Sequence, residues 1–181
     1  AQQRLIFEEL VAHQISLLTR RAFIQQVEAP SFAPSKTYAK QLLASLAFEM
    51  TGAQKRVSKE IAQDLKANKP MLRLVQGDVG AGKTLVAGVA ACHALEESWQ
   101  VALMAPTEIL AEQHYLNFKR WFEPLGLNIA WLSGKQKGKA RAAAEQVIRD
   151  GSAHLVIGTH ALFQENVEFA KLGLVIIDER S

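Results

Sequence analysis

The sequence predicts an α/β domain: a mainly parallel sheet flanked by helices, preceded by a helical N-terminal segment. From Met71 onward, short apolar runs alternate with helical stretches of ten to fifteen residues, the pattern of β-α-β units whose parallel strands need a crossover helix. The apolar runs lack the apolar/polar alternation of a half-exposed strand, as expected where helices cover both faces of a sheet. The first seventy residues show helical periodicity and connectors and no strand-like run.

Each element follows in order. "RLIFEELVAHQISLL" places Phe7, Leu10, Val11, Ile15 and Leu18 on one face of a helix. "EAPSFAPSKT", with Pro30 and Pro34, reads as a connector, and a short helix follows around Tyr38 to Leu46. "TGAQ", Thr51 to Gln54, opens a helix that carries Val57, Ile61 and Leu65. "MLRLVQ", "VALMA", "LNIAWL", "AHLVIG" and "LVIID" are strands, and "TLVAGVAACHALEE", "EILAEQHYLNFKRWF" and "KARAAAEQVIRD" are the helices between them.

The 181 residues suit one domain with a sizeable core. No apolar run approaches the roughly 20 residues needed to span a bilayer, and the start lacks the marks of a signal peptide. The single cysteine, Cys92, excludes an internal disulfide framework and suits a reducing cytosol. The expectation is a cytoplasmic protein without a membrane partner. The net charge of +3 is too small to imply a nucleic-acid partner, although Lys135, Lys137, Lys139 and Arg141 form a dense basic stretch. The five histidines show no metal-binding spacing, Cys92 reads as a small buried residue, and Trp99, Trp121 and Trp131 read as packing residues.

The strongest motif is "GDVGAGKT": Gly77, Asp78, Val79, Gly80, Ala81, Gly82, Lys83 and Thr84. It matches G-x-x-x-x-G-K-[ST], the phosphate-binding loop, and lies between an apolar strand and a helix as that loop requires. Glycines let the backbone turn so that its N–H groups point at phosphate oxygens. Lys83 brings an ammonium to the outer phosphates, the Thr84 hydroxyl can ligate Mg²⁺, and the helix N-terminus adds its positive end. Asp178 and Glu179 close the last apolar run. In phosphate-loop enzymes an aspartate there helps hold Mg²⁺, and an adjacent glutamate can serve as the base for an attacking water. Thr51 and Gln54 fit a capping box, and Gln54 also fits an adenine contact; Thr51 can cap while Gln54 points outward, so the two roles can coexist. Thr107 and Glu108 suit the start of the helix after "VALMA", and "GTHALF" from Gly158 repeats that geometry. Two such turns on one edge of the sheet make a groove for a nucleic-acid backbone plausible.

"TGAQ", "GDVGAGKT", "MAPTEILAEQH", "WLSGKQKGKAR", "GTHALF" and "VIIDE" resemble, in order and spacing, the motifs of superfamily-two DNA helicases, above all the RecG branch. "RLIFEELVAHQISLLTRR" resembles the helical segment that joins the DNA-binding wedge of that branch to its motor. The resemblance covers nearly the whole chain. It implies a RecA-like fold and ATP-driven translocation on double-stranded DNA, remodelling stalled forks and Holliday junctions in recombination and repair. It also implies a division into a linker, residues 1–48, and a first motor domain, residues 49–181. Carried over, Gly77 to Thr84 hold ATP, Lys83 and Glu179 serve catalysis, and Asp178 and Thr84 hold Mg²⁺. Gln54 meets adenine. Pro106, Thr107, Glu108, Gly158, Thr159 and His160 line the DNA track. The family continues its acidic motif as Asp-Glu-Gln-His, whereas Arg180 and Ser181 stand in those places here. The chain is therefore expected to be a monomeric piece of a longer motor, lacking the second motor domain with its arginine fingers and unable to unwind DNA alone. The alternative is a nucleotide switch or small-molecule kinase built on the same phosphate loop, against which stand the missing guanine signature and the missing D-x-x-G.

Overall fold

The computed structural model describes residue 28 and residues 31–66, 72–75, 81–163 and 167–178. The helix expected over residues 4–18 lies outside the described residues. The elements are α1 (Tyr38–Ala44), α2 (Gly52–Lys66), β1 (Leu72–Val75), α3 (Ala81–Glu96), β2 (Gln100–Ala105), α4 (Glu108–Phe122), β3 (Ile129–Trp131), α5 (Lys139–Arg149), β4 (Leu155–Thr159), α6 (His160–Phe163) and β5 (Leu172–Asp178). The five strands form one sheet in the order β1-β5-β2-β4-β3, and every pairing is parallel.

Side chains alternate between the two faces of this sheet and meet helices on both. Val101, Leu103 and Ala105 of β2, with Leu155, Ile157, Leu174 and Ile176, join a core built with α3, α4, Leu42 and Leu65. Ala102 and Met104, with Val156, Val175 and Ile177, face a second core that contains Ile148 and Phe163. Helix α3 is buried from Thr84 to Leu95, which explains its lack of a polar face: a helix apolar all round belongs inside. At Gly88 a Cβ would stand 3.3 Å from Phe118 and 3.5 Å from Leu42, so this glycine lets α1 and α4 close onto α3. Cys92 lies in the same interior, where burial pushes its thiol up to about 12 and leaves it unreactive.

The stretch read as a connector is tied into this core. The Phe32 N–H donates to the Leu65 carbonyl at 2.8 Å, and the ring packs edge-on against Trp99 at 6.3 Å. Both aromatic rings crowd Gly173, where a Cβ would lie 2.9 Å from Trp99 and 3.0 Å from Phe32. The Ser35 N–H donates to His93 Nδ1 at 2.8 Å. The Ser35 hydroxyl and the Thr37 and Tyr38 N–H groups donate to Glu96 Oε1 at 2.8, 2.8 and 3.0 Å. Thr37 makes no side-chain cap on α1; Glu96 of α3 takes the Thr37 and Tyr38 N–H groups, and the Ser35 hydroxyl accepts the Ala39 N–H at 3.0 Å. Partial burial acts to raise the Glu96 carboxyl, but the N–H groups of Tyr38 and Thr37 and the Ser35 hydroxyl outweigh it and hold the group below its usual range. Burial lowers His93, which accepts from Ser35 through a ring nitrogen that must be unprotonated.

At the amino edge, buried Gln100 is satisfied on both sides. Its amide nitrogen donates to the carbonyls of Ile148 (3.0 Å) and Ala153 (2.8 Å), and its oxygen accepts from the Lys171 N–H at 2.8 Å. This one side chain joins the start of β2 to the α5–β4 turn and to the approach of β5. Among the described residues, no helix is long and apolar enough to cross a membrane.

Candidate functional site

In a parallel sheet every strand delivers its carboxyl end to the same edge, and ligands settle in the crevice outside that edge. The register places the ends side by side. Val75 of β1 pairs with Asp178 of β5, Met104 of β2 pairs with Ile177, and Ala105 pairs with Thr159 of β4. Adjacent strands lie about 4.8 Å apart. Asp178 is thus one strand from the segment that leads into Gly77–Thr84, and one strand from the segment that leads into Pro106, Thr107 and Glu108.

The main chain of Ala81, Gly82 and Lys83 forms the first turn of α3, and Thr84 follows, 4% exposed. Gly77, Asp78, Val79, Gly80 and Glu179 lie outside the described residues. Asp178 ends β5 at 1% exposure, with His114 Nε2 of α4 at 2.7 Å from its Oδ2. The Asp178 carboxylate at the strand end and the Thr84 hydroxyl in the first turn of α3 are hard oxygen donors of the kind Mg²⁺ takes alongside phosphate oxygens. The residues present fit a Mg²⁺–nucleotide.

Gln54 sits in the first turn of α2. The Thr51 N–H donates to Gln54 Oε1 at 2.8 Å, and the Gln54 N–H donates to Thr51 Oγ1 at 3.2 Å. Both arms of the capping box are made, so Gln54 folds back on Thr51 where the expectation had it pointing outward. Its amide NH₂ takes no part in the box, and its oxygen keeps a second lone pair.

Thr107 is the N-cap of α4 and accepts from the Leu110 N–H at 3.2 Å. Pro106 and Thr107 are exposed. Glu108, half-buried, accepts from the Gly134 N–H at 3.0 Å. That bond draws the loop "SGKQKGK" to the start of α4. The loop is further braced within itself: Gln136 accepts from the Ser133 N–H at 3.1 Å and donates to the Trp131 carbonyl at 3.0 Å. Gly158 is buried, and a Cβ there would stand 3.1 Å from Leu132, so its role in the fold is close packing of β4 against the end of β3. Thr159 ends β4 and His160 opens α6.

A family model for the DEAD/DEAH box helicases matches residues 51–180. The chain belongs to the DEAD/DEAH box helicase family. This helicase domain is 56% identical over 180 residues to the ATP-dependent DNA helicase RecG of Escherichia coli (strain K12), and 56% identical to that of Haemophilus influenzae. The corresponding protein of Aquifex aeolicus is 40% identical over 178 residues. The alignments cover 98–99% of this chain and 22–26% of those proteins, so the chain spans about a quarter of the length of the curated relatives it matches. A solved structure of RecG bound to a three-way DNA junction superposes with a TM-score of 0.76 at 40% identity, covering 99% of this chain and 25% of that one. The fold is RecA-like.

Two features of the helicase domain were not visible in its sequence. His114 closes the stretch "MAPTEILAEQH" and lies in the middle of a helix, and nothing there announces that it meets a carboxylate 64 positions away. The tie from Glu108 to Gly134 spans 26 positions and is equally silent in the sequence. A cleft of about 420 Å³ opens between β3 and α5, beside the stacked rings of Tyr115 and Trp131. It lies under the small side chains of Ala140, Ala143 and Ala144 and includes none of the expected site residues.

Proposed function

We propose that this chain is the ATP-binding half of a DNA helicase motor that remodels branched DNA at stalled forks and four-way junctions. Residues 1–48 would be the linker and residues 49–181 the first motor domain, within a monomeric cytoplasmic protein that carries a second motor domain. The observation that supports this best is the register of β5 on β1. It sets Asp178 beside the strand that runs into Gly77–Thr84, the arrangement a shared metal–phosphate site needs.

In this reading the N–H groups of Gly77 to Lys83 and the start of α3 surround the phosphates, where the helix end favours negative charge. The Lys83 ammonium lies against the outer phosphates. The Thr84 hydroxyl and the Asp178 carboxylate hold Mg²⁺, which when bound neutralises charge on the phosphate oxygens. Glu179 accepts the proton of the attacking water. The Gln54 amide meets the adenine edge without leaving its capping box. Pro106, Thr107 and Glu108, with Gly158, Thr159 and His160, form the track for a DNA backbone on the same edge. Lys135, Lys137 and Lys139 are held near it by the Glu108–Gly134 bond. Arginine fingers from a second domain are worth about 10³–10⁵ in rate in related enzymes, so the chain alone should bind ATP and hydrolyse it very slowly.

Competition for a fluorescent ATP analogue tests the reading. ATP should displace it far better than GTP, and Lys83→Ala should abolish binding while the protein stays folded. A preference for GTP, or unchanged binding by Lys83→Ala, would sink it.

A further inference from the structure

We propose that His114 is a positioning residue for Asp178: the imidazole holds one carboxylate oxygen so that the group is presented to the metal in a single orientation. The inference rests on the reading of Asp178 as a Mg²⁺ ligand. The contact itself is 2.7 Å between His114 Nε2 and Asp178 Oδ2, with both side chains almost wholly buried. A carboxylate carries no proton, so the bond requires Nε2–H as donor. Nδ1 is buried and has no partner among the described residues. The ring therefore makes its one described hydrogen bond to Asp178. A carboxylate turns freely about its last torsion, whose preference is broad and two-fold, and a bond to one oxygen sets its plane.

The placement adds a mechanical link. His114 lies two turns into α4, and α4 begins at Thr107, on the edge proposed for DNA. Its ring packs against Phe118 at 6.1 Å, which sits in the core with Phe122. A rigid helix thus joins the metal-binding carboxylate to the turn on the nucleic-acid side. Groups that orient a metal ligand typically change metal affinity by 10–100-fold when removed.

The test is a Mg²⁺ titration of fluorescent ATP-analogue binding to the 181-residue chain, read against binding without Mg²⁺. Three variants are compared: His114→Leu, which fills the space without a donor; His114→Gln, whose amide nitrogen reaches the place of Nε2; and Asp178→Asn. The expected result is a 10–100-fold weaker apparent Mg²⁺ affinity for His114→Leu, most of it recovered in His114→Gln, with Mg²⁺-free nucleotide binding unchanged in both. If His114→Leu keeps the wild-type Mg²⁺ affinity while Asp178→Asn loses it, the positioning role is wrong and the reading of Asp178 stands. If Asp178→Asn also leaves it unchanged, the reading of Asp178 falls. Equal loss by both histidine variants, with the Mg²⁺-free binding reduced to the same degree, would mean that His114 only supports the fold. Should His114→Leu fail to fold, His114→Gln against His114→Asn, whose shorter amide cannot reach, decides the same question.

Discussion

Two buried histidines on two helices of this domain do opposite work. His93, on α3, accepts a backbone N–H from Ser35 and thereby holds an extended segment against the back of the domain. His114, on α4, donates to Asp178 at a strand end on the carboxyl edge. The rings are about equally buried, at 5% and 4% exposure, so burial does not distinguish them. The partner does. A ring bonded to main chain fastens one piece of the fold to another, whereas a ring bonded to a strand-end carboxylate fixes the direction of a charged group. The clamp around His93 and Glu96 is accordingly a stability element, and the contact at Asp178 is the one proposed to serve the site.

Changes to the clamp should move stability and spare the metal dependence of nucleotide binding. Glu96→Ala removes the acceptor for Ser35, Thr37 and Tyr38, and should cost about 1.5–3 kcal/mol in denaturant unfolding, as expected for hydrogen bonds to a charged group. A loss of Mg²⁺ affinity in this variant would erase the distinction between the two regions. Gly173→Ala forces a methyl against Trp99 and Phe32 and should cost about 1–3 kcal/mol by overpacking; a melting curve that does not move would show that the connector is not seated there.

Acid should loosen the fold in two stages. Burial lowers both His93 and His154 below the ordinary 6.5, so the unfolded chain binds protons that the folded chain refuses. Their contribution is complete above about pH 6.5 and declines as pH falls below it. Glu96 titrates below its ordinary 4.5, so its contribution is present above that value and is lost as pH falls through the folded value. Stability measured from pH 7.5 down to 4 should hold to about pH 6.5 and decline below it, and Glu96→Ala should remove only the part below about 4.5. The smallest effect expected is at Ser98, which follows α3 with φ of 64°. Ser98→Gly relieves a left-handed residue and should raise stability by at most ~1 kcal/mol, less the entropy that glycine adds to the unfolded chain.

What was legible in the sequence was local. The strands from Leu72 to Asp178 and the helices between them could be read because apolar periodicity and strand–helix alternation reflect burial in a parallel sheet. The cap at Thr107 and both arms of the Thr51–Gln54 box follow from residues three apart. The connector was read as chain between helices, because two prolines and polar residues mark it so. Nothing within it announces that Phe32 fills the space above Gly173. Likewise Gln100, His114 and the Glu108–Gly134 bond act over 26 to 71 positions, at distances set by packing of the whole sheet. Of the candidate site, the residue types and their order along the chain were readable; the contact between His114 and Asp178 was not.

The most direct test of the site is a crystal structure of the protein with Mg²⁺ and a non-hydrolysable ATP analogue. The account predicts the phosphates at the start of α3, the metal at about 2.1 Å from the Thr84 hydroxyl and within direct or one-water reach of Asp178, and adenine at Gln54. A nucleotide seated elsewhere, such as the cleft beside Trp131, with Asp178 facing no metal, would contradict it.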